Sequence, residues 1–347
     1  MNILDSHLYV SDLEKAAAQT DLSALKGRTV MITGGMGLIG SAVADLLLTA
    51  DSLFGLNLQV LIGERSDEVF CQKYSSRGNI RFIRYDALLP FAWDFTPDYI
   101  IHCAGIASPE LYMNAPVETM LTNMTGILNI LRYAQTVPVR RILYISSSEV
   151  YGEKTSPDPF IEGQYGTVDI DSIRSSYPVA KRSAEMLCRA YTAEYGIDAV
   201  TVRPGHIFGP TAGRNDRRVS SDFAYRAAMG QDLVLKSSGL QKRSYCYTAD
   251  AALQILTVLL SGKKGEAYNI GSEKAMTIRD MAEIYAKTGG VRLKAADPTD
   301  AEKSAFNPML NSSLDIGKIC SIGYRETIGA EAGLAHTVMI LREAARI

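Results

Sequence analysis

Hydrophobic and polar positions along the chain switch repeatedly between a run of apolar residues and helical spacing. The clearest case is TVMITGGMGLIGSAVADLLL, residues 29 to 48. Val30, Met31 and Ile32 form a short apolar run ending at Thr33, which predicts a buried strand. Gly34, Gly37 and Gly40 follow at three-residue spacing. Leu38, Ile39, Ala42, Val43, Leu46 and Leu47 then recur at helical spacing. Further runs predict strands at 58–66, 79–90 (ending at Asp86), 97–109, 140–152 and 198–210. Helices are predicted at 114–135, with a proline in the first turn, and at 175–196, where Pro178 sits in the first turn. Beyond residue 210 the order changes. Arg214, Asn215, Asp216, Arg217 and Arg218 form a polar loop. Short strands (233–235, 243–247, 267–270) mix with helices (219–229, 249–261, 277–288, 332–346). Residues 1 to 27 precede the first strand, and SDLEKAAAQTDLSALKG predicts a helix with Ser11 as N-cap and Glu14 at the capping-box position.

Strands alternating with helices in this order predict an α/β fold, a doubly wound Rossmann-like parallel sheet covered on both faces, with right-handed crossovers. The expected division is an N-terminal extension packed on the outside (1–27), a nucleotide-binding domain (28–210) and a smaller mixed C-terminal substrate lobe (211–347) interleaved with the end of the sheet. Ligands of such sheets lie at the carboxyl ends of the strands, where Gly34, Glu64, Ser108 and Ser147 should converge.

The glycine turn has a specific physical use. Glycine permits the sharp strand-to-helix turn at Gly34, close backbone approach to a pyrophosphate at Gly37, and tight helix–strand packing at Gly40. The helix N-terminus offers free N–H groups and a positive dipole end to phosphates. This predicts a dinucleotide held by Gly34, Gly37, Leu38 and Ile39. Glu64, at the end of the second strand, suits the adenosine ribose hydroxyls and favours NAD; Arg65 beside it leaves NADP open. Asp86 suits either the adenine amino group or a turn. Ala104 leaves room for the cofactor, and Ser108 is placed to face a substrate.

Composition adds exclusions. The 347 residues are 47% hydrophobic and 21% charged with net charge −2, an ordinary globular balance that gives no reason to expect nucleic acid or an anionic membrane. Runs such as AALQILTVLL are too short to span a bilayer, and the N-terminal sequence does not resemble a signal peptide. Five scattered cysteines without a CxxC pair, and four histidines without ligand spacing, predict reduced thiols in a cytoplasmic protein and no metal.

The reactive chemistry is expected at Ser147, Glu149, Tyr177 and Lys181. Tyr177 and Lys181 are four residues apart on one helix face, so the ammonium is expected to lower the phenol pKa and make Tyr177 a base. Ser147 can share the proton of a substrate hydroxyl.

At this point TGGMGLIG, HCAGIASP, YISSSEVYG, YPVAK and RPGHIFGP resemble the extended short-chain dehydrogenase/reductase family of nucleotide-sugar epimerases, dehydratases and decarboxylases, over residues 28 to 345. The resemblance implies a Ser147–Tyr177–Lys181 triad, a tightly held NAD touching Tyr177 and Lys181, and a homodimer built on the helices at 114–135 and 176–196. SSSEVYG is similar to the STSEVYG of UDP-glucuronate decarboxylases, with Ser148 where glucose-type 4,6-dehydratases carry Asp. By the same resemblance GRNDRRVSSDF puts Asp222 near the nucleotide and SSGLQKRSYCY puts Arg243 on the diphosphate, where a guanidinium clamps phosphate oxygens; Ser148 and Arg214 join Ser108 as candidate substrate contacts. One segment departs: decarboxylases carry a basic stretch resembling RKPDI that helps hold the sugar carboxylate, and AFNPMLNSSLD here has no base. Arg174, Arg182 and Arg214 are the remaining candidates. The implied reaction is oxidation of the sugar C4 hydroxyl to a 4-keto intermediate, followed by decarboxylation. The alternatives are 4,6-dehydration, 4-epimerisation or reduction, and, more remotely, non-catalytic NAD(P) sensing.

Overall fold

The computed structural model describes residues 2–298 and 309–345. Its centre is a seven-stranded sheet in the order β11-β6-β5-β4-β1-β2-β3, with every neighbouring pair parallel. The strands are β1 (Thr29–Thr33), β2 (Gln59–Glu64), β3 (Ile80–Arg84), β4 (Tyr99–His102), β5 (Arg141–Ile145), β6 (Ala199–Pro204) and, after β7 to β10 below, β11 (Ala267–Ile270). Val30, Met31 and Ile32 of β1 have no exposed surface, as expected for a strand covered on both faces. Register pairs Ile32 with Ile62 on one side and Ile101 on the other. The chain runs outward from β1 through β2 to β3, then returns to place β4 on the opposite side. That reversal opens a crevice at the carboxyl ends of β1 and β4.

The first helix, α1 (His7–Ala17), begins earlier than the sequence pattern suggests. Ser6, not Ser11, is its N-cap, accepting from the Tyr9 N–H at 3.4 Å; Ser11 lies inside the helix. Nor is α1 an appendage, since Tyr9, Asp12, Leu13, Ala16 and Ala17 are buried in the main core. The next helix is α2 (Leu38–Phe54), followed by α3 (Glu68–Tyr74). Asp45 of α2 is fully buried and accepts from Tyr9 Oη at 2.9 Å, Tyr74 Oη at 2.7 Å and Lys73 Nζ at 2.7 Å. One carboxylate thus joins three helices, with two hydroxyls and an ammonium to offset the cost of its burial.

The long helix expected at 114–135 is present as α5 (Pro116–Ala134), preceded by a short helix, α4 (Pro109–Asn114), that the sequence pattern did not predict. Pro116 has no N–H to continue the first helix and takes the N1 position of the second, leaving Ala115 at φ −138° between them. α6 (Ser176–Tyr195) packs closely along α5. The strand expected to run to Gly152 stops at Ile145, and Ser148–Tyr151 form a 3-10 turn. β3 ends at Arg84, because Asp86 makes a turn: its Oδ1 accepts from the Leu88 N–H at 2.9 Å.

The remaining elements are β7 (His206–Phe208), α7 (Val219–Ala228), β8 (Leu233–Leu235), β9 (Lys242–Arg243), β10 (Tyr245–Tyr247), α8 (Thr248–Ser261), β12 (Met276–Thr277), α9 (Ile278–Gly289), β13 (Leu293–Ala295), α10 (Gly317–Ser321) and α11 (Ala330–Ala345). They form three small two-stranded sheets, β10 with β7, β12 with β9 and β13 with β8. The strand predicted at 243–247 is split at Ser244, so that β9 and β10 join different partners. The strand at 267–270 belongs to the main sheet, beside β6. Asp12 links α1 to this lobe, accepting from Tyr247 Oη at 3.1 Å and lying 2.8 Å from His336 Nδ1 on α11. The first four residues of AFNPMLNSSLD, 305–308, and the end of the helix predicted at 332–346 lie outside the described residues.

Candidate active site

Gly34 turns the chain at φ +68°, in the left-handed region that favours glycine. A Cβ there would lie 2.7 Å from the Ala104 nitrogen, so the turn and the loop after β4 touch backbone to backbone. A Cβ at Gly40 would come 2.4 Å from the Gly34 carbonyl oxygen. At Gly37 the nearest atom would be 3.4 Å away, which leaves the mouth of the turn open. Gly37 is also the N-cap of α2, so the first N–H groups of a 17-residue helix have no capping side chain. Leu38 and Ile39 open that helix. The donors, the dipole end and the open mouth fit a dinucleotide pyrophosphate. Glu64 lies across the turn, its Oε1 accepting from the Met36 N–H at 3.0 Å, with Arg65 exposed beside it. A carboxylate here suits ribose hydroxyls and disfavours a 2′-phosphate.

Ser147 sits two residues beyond β5 as the N-cap of the 3-10 turn, its Oγ accepting from the Glu149 N–H at 3.2 Å. Tyr177 and Lys181 on α6 are buried, with 6% and 5% of their surface exposed. Lys181 Nζ donates to the Ile145 carbonyl at 2.7 Å and lies 5.9 Å from the Tyr177 ring centre. Burial pushes Lys181 down to about 8, opposed by Cys103 and Glu185. Tyr177 departs from expectation: it is pushed up, not down, to about 12. Burial is the main cause. The Ser147 hydrogen bond pulls it back, Glu149 raises it further and Arg218 lowers it. Lys181 is committed to the Ile145 carbonyl and is not among the groups that shift Tyr177.

Three neighbours complete the cluster. The Tyr112 ring stacks on Tyr177, with centres 5.0 Å apart and planes 13° from parallel. Arg174 Nη2 donates to Glu149 Oε1 at 2.8 Å and its guanidinium lies 5.8 Å from the Tyr112 ring centre. His206 seals its Nδ1 from solvent without a partner, and is pushed down to about 3 by burial, then Arg243, then Arg218. Arg243 is 4% exposed, and its guanidinium donates to the carbonyls of Lys242 and Met309 at 2.9 and 3.3 Å. A buried guanidinium whose hydrogen-bond partners are carbonyls retains charge for an anion.

Ser147, Glu149, Tyr177, Lys181 and Arg243 therefore form one neighbourhood, with Ser148 on the same 3-10 turn, and Ser108 stands at the N-cap of α4, on the side of Tyr112. The other predicted contacts do not join them. Asp86 lies just past the end of β3, with Oδ1 in its turn. Asp222 pairs with Arg226 at 2.8 Å on the exposed face of α7, an i,i+4 pair. Arg214 is exposed, with Nη2 3.8 Å from Met229 Sδ. From the same polar loop it is Arg218, chelated by Asp216, that acts on Tyr177 and His206. Tyr112, Arg218 and His206 escaped the sequence reading: their neighbours come from distant segments, and local spacing carries no trace of that. Among the described residues no group of His, Cys, Asp and Glu is arranged to hold a metal, and no helix is long and apolar enough to cross a membrane.

The model of the NAD dependent epimerase/dehydratase family matches residues 30–271. The chain belongs to that family. NAD is its cofactor. Within this epimerase/dehydratase family, UDP-glucuronic acid decarboxylase 6 of Arabidopsis thaliana is 30% identical over 307 residues, 88% of this chain and 86% of the relative. Among solved structures, UDP-glucuronic acid 4-epimerase from Bacillus cereus, in complex with UDP-glucuronic acid and NAD, superposes with a TM-score of 0.75 at 20% identity, covering 91% of this chain and 99% of that one. A dTDP-glucose 4,6-dehydratase from Streptomyces venezuelae, with NAD bound, gives 0.75 at 24% identity, covering 91% and 97%. At those identities the structures carry the Rossmann-like fold, while the family rests on the sequence match.

Proposed function

We propose that this protein is a nucleotide-sugar decarboxylase that oxidises the C4 hydroxyl of a nucleotide-linked hexuronate to a 4-keto intermediate. The observation that carries the reading is the placement of Glu149 beside Ser147 and Tyr177, held there by Arg174. A carboxylate next to the hydroxyl pair argues against a simple epimerase, whose chemistry needs no proton transfer at C5. Similarity to UDP-glucuronic acid decarboxylases over most of the chain supports the same choice.

The glycine turn with Leu38 and Ile39, Glu64 and Ala104 would hold NAD, with Tyr177 and Lys181 at its reactive end. NAD, when bound, takes up and returns the C4 hydride and brings a positive ring charge into the cleft. Ser147 holds the C4 hydroxyl, and Tyr177, ionised once the cofactor's positive ring and Lys181 offset the cost of its burial, would receive its proton. The 4-ketone turns the C5 carboxylate into a β-keto acid, which loses carbon dioxide. Glu149 is placed for proton transfer at C5. Arg243 takes a diphosphate oxygen. The missing base in AFNPMLNSSLD favours a second reading, 4,6-dehydration of a neutral sugar, in which Glu149 removes the C5 proton.

Incubation with a panel of nucleotide sugars followed by mass spectrometry separates the two. Loss of carbon dioxide from UDP-glucuronate is the expected result. Loss of water from a neutral sugar would establish the second reading, and no conversion of any nucleotide sugar would overturn both.

A homodimer through α5 and α6 is part of the proposal. Val117 and Leu121, one turn apart on α5, and Met186 on α6 are 61, 50 and 63% exposed, an apolar stripe that a second copy would cover. Sedimentation of wild-type protein and a Leu121→Lys variant tests it. A cytoplasmic location is also proposed, in keeping with five free thiols.

A further inference from the structure

We infer that Arg174 is the residue that reads charge at C6 of the sugar, receiving the hexuronate carboxylate on the donors that Glu149 leaves open. The inference rests on the proposed C4 chemistry. Ser147 and Tyr177 mark where C4 must lie, and Glu149 follows along the 3-10 turn where C5 comes next. Arg174 is the neighbouring group beyond it, paired to Glu149 through a single nitrogen at 2.8 Å. A guanidinium has five N–H donors in a planar fork, so one edge can hold Glu149 while the other takes a second carboxylate.

Its surroundings suit that task. The side chain of Arg174 is 31% exposed, open to an entering ligand. Its guanidinium lies over Tyr112, which stacks on Tyr177, so the cation is held at a set offset from the base. Other arginines near the cleft are committed. Arg182 gives its donors to the carbonyls of Val150, Tyr151 and Gly166. Arg218 is chelated by Asp216, Arg243 is already assigned to the diphosphate, and Arg214 stands at the surface. With no base in AFNPMLNSSLD, a carboxylate at C6 needs a different cation, since a desolvated anion without a partner is costly.

The test is titration of NAD-loaded protein with UDP-glucuronate and UDP-glucose, which differ only at C6, using wild-type, Arg174→Gln and Arg174→Lys. The expected result is a wild-type preference for UDP-glucuronate of roughly 10- to 100-fold. It should collapse in Arg174→Gln while UDP-glucose binds as before, and be partly restored in Arg174→Lys. An unchanged preference in Arg174→Gln, or an equal loss for both sugars, overturns the inference and leaves the decarboxylase reading standing. A wild-type protein that turns over UDP-glucose and ignores UDP-glucuronate overturns the decarboxylase reading itself.

Discussion

Tyr177 is enclosed by Tyr112, Ser147 and Lys181, and each neighbour limits what it can do. Replacing it with Phe keeps the stack on Tyr112 but removes the proton acceptor. Turnover of the converted nucleotide sugar is expected to fall roughly a hundred- to ten-thousand-fold with the melting temperature little changed. Lys181 sets the alkaline limit. Burial brings it from its ordinary 10.5 down to about 8, so its ammonium is intact below pH 8 and is lost above it. The value of kcat/KM should therefore decline about tenfold per pH unit above 8; a profile flat to well above that would show that Lys181 keeps its proton. At this scale the chain was legible where the proposed site residues share a short segment. Ser147, Glu149, Tyr177 and Lys181 stand in two such segments and do meet. The sign of the Tyr177 shift was not legible, because it depends on how completely the fold buries the ring. Nor was the choice of Arg218 over Arg214, four residues apart in one loop, since only the start of α7 decides which of them turns inward.

Among the elements, the turn from β1 into α2 has the least tolerance. A methyl group at Gly40 would meet the Gly34 carbonyl at 2.4 Å, and backbone cannot swing aside as a side chain can. Gly40→Ala is expected to cost about 1–3 kcal/mol and to weaken NAD binding at least tenfold, measured by unfolding in urea and by NADH fluorescence. An unaltered NAD affinity would mean that the helix can shift without moving the phosphate donors. Most element types and positions were readable from periodicity, while their ends were not. The start of α5 was legible from Pro116 in its first turn, whereas the six-residue α4 before it is too short to show a period. β9 and β10 are separated by a single residue and read as one strand; that Ser244 divides them between different partners is a tertiary fact.

In the molecule as a whole, two buried polar groups govern stability. His102 has no exposed surface and lies against Thr33 Oγ1 at 2.7 Å; burial, then Lys181, pushes it from an ordinary 6.5 down to about 3. Between those values the unfolded chain binds a proton that the folded one does not. Its contribution is therefore complete above pH 6.5 and is lost as pH falls, by about 1.4 kcal/mol per unit. Urea titrations at pH 5 and 6.5 should show that slope, reduced by this amount in His102→Gln. Asp45→Asn should destabilise the protein by about 3 kcal/mol, because Lys73 is left without its carboxylate and the Tyr9 and Tyr74 hydroxyls lose a charged acceptor. A loss below about 1 kcal/mol would show that α1 is held by apolar packing alone.

The embedding of α1 also bears on how the chain is made. The helix has 11 residues, too few to persist alone in water. Its buried partner Tyr247 follows Asp12 by 235 residues, and His336 follows by 324. At ribosomal speeds of about 5–20 residues per second, His336 emerges roughly 15 to 65 seconds after Asp12. Through that interval α1 has α2 to pack against, through Tyr9 and Asp45, but not the surface that Tyr247 and His336 complete. α1 is thus made well before the last surface it packs on, and until then its apolar face is what a chaperone would meet on the nascent chain.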